Sequence, residues 1–109
     1  MPEDSIERML LDSSMVIEEV EDRPVYYLTE TRVRGIAKVF LTHILYRTEE
    51  PEQPAGDTLK ILTFYSNGKQ LEMEVFSHYV SLTDSSQTKV WFLVDSSFID
   101  QLQGYLSAG

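Results

Sequence analysis

Asn67-Gly68 divides two stretches of alternating polarity, 60–65 and 70–75. Asn-Gly accepts positive φ at both central positions of a type I′ turn, whose twist matches that of the strands it joins. A two-residue loop sets the register. Phe64 falls opposite Leu71, Leu62 opposite Met73 and Lys60 opposite Val75. The other face pairs Tyr65 with Gln70, Thr63 with Glu72 and Ile61 with Glu74. One face is mostly apolar and the other mixed, as a sheet packed on one side requires.

The rest of the chain supplies further elements. Asp4 or Ser5 caps a short first helix, Glu7 completes a capping box with Asp4, and Ile6, Met9 and Leu10 form its apolar stripe. Met15–Val20 and Val25–Leu28 read as antiparallel strands around the polar turn Glu21-Asp22-Arg23-Pro24. Pro24 suits a strand start or a sheet edge. Over residues 31–47, Val33, Ile36, Ala37, Phe40, Leu41, Ile44 and Leu45 follow helical spacing. A strand of that length would far exceed the usual five or six residues. Helix is therefore expected there, although Gly35 and the β-branched content weaken it.

Residues 48–57, with two prolines and four acids, read as a loop. The Asn-Gly hairpin follows, running on toward Val80, and then a turn at Thr83–Gln87. Lys89–Val94 is almost continuously apolar, which suits a central strand buried on both faces. Asp95 or Ser96 caps a last helix carrying Phe98, Ile99, Leu102, Tyr105 and Leu106.

The expected fold is one α+β domain over residues 1–109. It has an antiparallel sheet of about five strands with helices packed on it, in the order α-β-β-α-β-β-β-α. The alternative, should 31–47 be a strand, is a mostly β domain with terminal helices. The element order resembles the roadblock/longin architecture and the small acidic chaperones of type III secretion, which dimerise. That resemblance implies an antiparallel sheet with helices upon it and carries over no functional residue.

Charge restricts the partners. The net charge is −9, so naked nucleic acid and anionic membranes are poor partners, since binding phosphate needs clustered Lys and Arg. No apolar run reaches the roughly 18–20 residues of a membrane span. The start, Met-Pro-Glu-Asp-Ser, has neither the basic nor the apolar region of a signal peptide. Cysteine is absent, which removes thiol chemistry and fits a reducing compartment, so the cytoplasm is the expected location. The first 22 residues hold eight acids against Arg8 alone, whereas 23–47 hold Arg23, Arg32, Arg34, Lys38 and Arg47 against Glu30. Such asymmetry guides partner choice or self-association.

Catalytic patterns are missing. His43 and His78 stand apart, with no cysteine beside them to build a metal site. There is no Gly-x-Ser-x-Gly, and every glycine is isolated from the others. Glu72 and Glu74 share a strand face about 7 Å apart, a spacing that paired carboxylates use but that a solvated strand face also produces. Six tyrosines offer apolar bodies with polar tips, which suits interface edges.

The leading expectation is therefore a non-catalytic protein–protein interaction module: a small adaptor, chaperone or regulatory subunit that needs no cofactor or metal. It would bind another protein or itself. Glu18, Glu19, Glu21, Tyr26, Tyr27, Arg32 and Arg34 are the candidate contact residues. One alternative is an acidic inhibitor covering a basic nucleic-acid-binding surface of another protein. The other is a small enzyme whose site is assembled from dispersed acids and a histidine.

Overall fold

The Asn-Gly hairpin sits at the heart of a seven-stranded antiparallel sheet. A computed structural model of the chain describes residues 3–51 and 58–106. In chain order it contains α1 (Glu3–Leu11), β1 (Met15–Val20), β2 (Arg23–Tyr27), α2 (Glu30–His43) and β3 (Ile44–Thr48). Then come β4 (Lys60–Ser66), β5 (Lys69–Val75), β6 (Tyr79–Thr83), β7 (Lys89–Val94) and α3 (Phe98–Gln103). The strands lie side by side in the order β2-β1-β4-β5-β6-β7-β3. The class is α+β, as the sequence implies, with two more strands than expected.

The hairpin register holds at every expected pair, from Lys60 opposite Val75 to Tyr65 opposite Gln70. Asn67 and Gly68 have φ of 50° and 77°, the sign a type I′ turn demands. Leu62, Phe64, Leu71, Met73 and Val75 are wholly buried on one face. A Cβ added at Gly68 would meet no neighbour, so a substitution there acts through backbone strain alone. Gly68→Val is expected to cost about 1–3 kcal/mol in urea denaturation. An unchanged midpoint would argue against this turn.

The extra strands arise where side-chain spacing is ambiguous. The helical stripe expected over 31–47 holds only to His43, and 44–48 is a strand. Ile44 already has extended geometry (φ −69°, ψ 129°), although its amide still bonds the Phe40 carbonyl. The switch is driven from outside the segment. Ile44 pairs with Val94, Arg47 with Phe92 and Thr48 with Trp91, and the Asp95 amide donates to the His43 carbonyl. Tertiary hydrogen bonds thus override a periodicity that two templates fit.

The second extra strand comes from a turn at Ser77-His78, closed by the Phe76 amide on the Tyr79 carbonyl. It carries no glycine or proline to announce it, and β6 begins beyond it. Nor is β7 central. It lies one strand in from the edge. Val90, Phe92 and Val94 face the core, while Trp91 and Leu93 are half-buried on the opposite face. There Trp91 stacks on Phe76 at 5.6 Å, and this small second cluster explains the unbroken apolar run.

The helices form the core with one face of the sheet. Phe40 of α2 meets Phe92 (5.6 Å) and Phe98 (6.0 Å) edge to face, and Ile6, Leu10, Ile36 and Leu102 fill the space around them. Gly35 has a packing reason to interrupt α2. A Cβ there would overlap the Tyr105 ring lying against it. Thr29 occupies the N-cap of α2 without a side-chain cap bond. The capping box expected at Asp4 and Glu7 involves a side chain outside the described ones, and most of the acidic loop falls at 52–57, also outside them.

Asp95 fastens the junction of α2, β7 and α3. Its carboxylate accepts the Ser97 hydroxyl (2.6 Å) and the Ser97 amide (2.9 Å). The hydroxyl bond is the main force holding the carboxyl below the ordinary 3.8. Partial desolvation opposes it, while the Ser97 and Phe98 amides and the charge on His43 assist. A depressed carboxyl stabilises the fold above its unfolded-state pKa and loses that contribution as pH falls through the folded one. The Tm gap between wild type and Asp95→Asn is therefore expected to close as pH falls below 3.8. A gap that persists at pH 2 would point to geometry rather than charge.

Candidate interaction surface

An open sheet ends in two strands, here β2 and β3. Among the described residues each has one neighbour and presents a row of backbone N–H and C=O groups away from it, a template for another strand. Large apolar side chains gather at these same margins. Tyr26 is 56% exposed and Leu28 66% beside β2; Leu45 is 55% exposed and Tyr46 60% on β3. The two edges differ in protection. β2 carries Pro24, which removes a donor, and Arg23 beside it. β3 has neither proline nor glycine. Its one irregularity is a register shift between Ile44 and Tyr46 that leaves Leu45 as the extra residue.

The seven residues singled out from sequence do not form one surface. Glu18, expected as a contact residue, is instead wholly buried, on the core face with Val16. Its carboxylate accepts the Tyr27 hydroxyl (2.7 Å) and the Lys60 ammonium (2.8 Å). Tyr27 is 5% exposed, so neither residue can meet a partner directly. The strand phase is the reason. Val16 opposite both Tyr27 and Phe64 fixes the inward face of β1, and Glu18 falls two residues along it.

Arg32 is half-buried, donating to the Tyr105 carbonyl (2.9 Å) and lying 5.9 Å from the centre of the Tyr27 ring. Arg34 is exposed and bridges Glu30 one turn back at 2.7 Å. Glu19, Glu21 and Tyr26 remain exposed, Glu21 in the β1–β2 turn at φ 56°. What the sequence reading missed is β3 itself. The signal was present in Ile44, Leu45 and Tyr46, a β-prone triplet at the end of a helical stripe.

Other concavities are less distinctive. A cleft of about 440 Å³ lies where α1 meets the β4–β5 and β6–β7 turns. Arg8 and Lys69 line it together with Asp12 and Asp84, so its charges balance. Asp84 is occupied there, accepting the Ser86 and Thr88 amides at 2.9 Å. Among the described residues, no group of three or more His, Asp or Glu is placed to hold a metal ion. Among them, too, no helix is long and apolar enough to cross a membrane. No family model, curated protein or solved structure matches the chain.

Proposed function

We propose that the protein is a non-catalytic interaction module, a small adaptor, chaperone or regulatory subunit, whose partner adds to a sheet edge. The observation that carries this reading is the exposed Leu45–Tyr46 pair on an end strand free of proline and glycine. Strand addition gives affinity through main-chain hydrogen bonds, and alternate side chains give selectivity. A cysteine-free chain fits this role in the reducing cytoplasm.

The test compares three forms of the full chain as bait: wild type, Leu45→Ser/Tyr46→Ser, and Tyr26→Ser/Leu28→Ser. All three should fold, because the four residues are exposed. The module reading expects a partner held by wild type and lost from the first variant. Retention by both variants would overturn the edge as the contact. Turnover of a small molecule by the pure chain would overturn the non-catalytic assignment. The acidic-inhibitor alternative draws on Glu19, Glu21 and Asp22, exposed together at the tip of the β1–β2 hairpin. It expects binding that collapses with salt and with charge reversal at those three positions.

A further inference from the structure

The β3 margin carries a charge pattern that is complementary to itself. Beyond Tyr46 the chain reads Arg47-Thr48-Glu49-Glu50, and Glu49 and Glu50 are both exposed. When two copies of one edge strand pair antiparallel in a continuous sheet, the two-fold axis stands perpendicular to the sheet and passes through a residue facing itself. Three centres are available along the unbulged part of this edge. An axis at Tyr46 sets Arg47 against Leu45, the residue displaced by the register shift. An axis at Arg47 sets guanidinium against guanidinium, which is destabilising. An axis at Thr48 sets Arg47 of each copy against Glu49 of the other, twice by symmetry, and Tyr46 against Glu50. It also leaves the Leu45 bulge outside the paired stretch.

The opposite margin offers no such match. The acids nearest Arg23 along the chain are Glu21 and Asp22, which form the β1–β2 turn, where Glu21 has positive φ and cannot extend the strand. Pro24, the second residue of β2, then removes a donor from that edge.

We propose that a second copy of this chain pairs with β3 about a two-fold axis at Thr48, Arg47 of each copy facing Glu49 of the other. The inference rests on the edge-binding reading above and names its partner. Arg47 also engages its own chain, but its guanidinium carries five donors and can take a further carboxylate. The result is a continuous sheet with the helices of both copies on the same side.

The experiment is sedimentation equilibrium with light scattering on four samples of the full chain: wild type, Arg47→Glu, Glu49→Arg, and the two single variants mixed. Each single variant faces like charges across the axis and is expected to weaken self-association roughly tenfold or more. Mixing restores opposite charges at both contacts, so a heterodimer should form with near wild-type affinity. The doubly exchanged chain, Arg47→Glu/Glu49→Arg, should self-associate again. Unchanged melting of each variant shows that folding is intact. A wild type that stays monomeric at millimolar concentration would overturn the self-pairing. So would single variants that dimerise like wild type, or a mixture that stays monomeric. None of these outcomes decides the broader module reading, which depends on the bait comparison at the two edges.

Discussion

Lys60→Met is expected to destabilise the fold by about 3–5 kcal/mol, the usual cost of leaving one member of a buried ion pair alone. Glu18 has no exposed side-chain surface, and the Lys60 side chain only 15%. The Lys60 ammonium is the cation bonded to that carboxylate, at 2.8 Å. Methionine keeps most of the stem and none of the charge, so the effect reads the electrostatics rather than a cavity. The companion test removes the whole polar cluster. Glu18→Leu/Tyr27→Phe/Lys60→Met leaves no charge and no orphaned hydroxyl, and should recover most of the lost stability, since apolar replacements of buried pairs are often neutral or better. Urea midpoints with matched slopes would measure both. If Lys60→Met unfolds with wild type, water reaches Glu18 and the pair is not the anchor of β1 that its geometry describes.

Phe40→Ala is expected to cost about 3–5 kcal/mol through the cavity it opens. Phe40 is wholly buried and holds edge contacts with rings on two other elements, Phe92 on β7 and Phe98 on α3. Its loss should therefore loosen α2, the sheet and the last helix together, and a single cooperative transition should move to lower temperature. Lys38→Ala, on the exposed side of the same helix, should shift Tm by only a degree or two. Calorimetry on the two variants separates a buried stripe from a solvated one. Comparable losses would place Phe40 at the surface.

Local chemistry was legible wherever it decided the outcome by itself. Asn67-Gly68 specifies a turn through two φ angles, and the strands beside it need no information from elsewhere to choose their register. The buried face of α2 could likewise be read from Val33, Ile36, Ala37 and Phe40. Where distant partners decide, the reading failed. Ile44 and Leu45 continue a helical stripe on paper, yet β7 supplies hydrogen bonds that the helix cannot match. Glu18 sits between Ile17 and Glu19 in a strand whose inward phase depends on β2 and β4. Burial of a carboxylate becomes intelligible only once Lys60, forty-two residues away, is seen beside it. The surface residues suffered most, because Tyr26 and Tyr27 look alike in a sequence and face opposite ways in a strand.

The order of strands also bears on how the molecule is made. β1 finds its inner neighbour in β4, and β3 pairs with β7, the last strand among the described residues. A nascent chain emerges N-terminus first, so it displays β3, with Leu45 and Tyr46 bare on both margins, until β7 has also left the ribosome. Such long-range closure belongs to slowly folding topologies. Throughout that interval the strand is open on both margins instead of one. The edge proposed above to bind a partner is thus also the edge through which an incomplete chain would aggregate, and charges at Arg47, Glu49 and Glu50 stand as gatekeepers beside it.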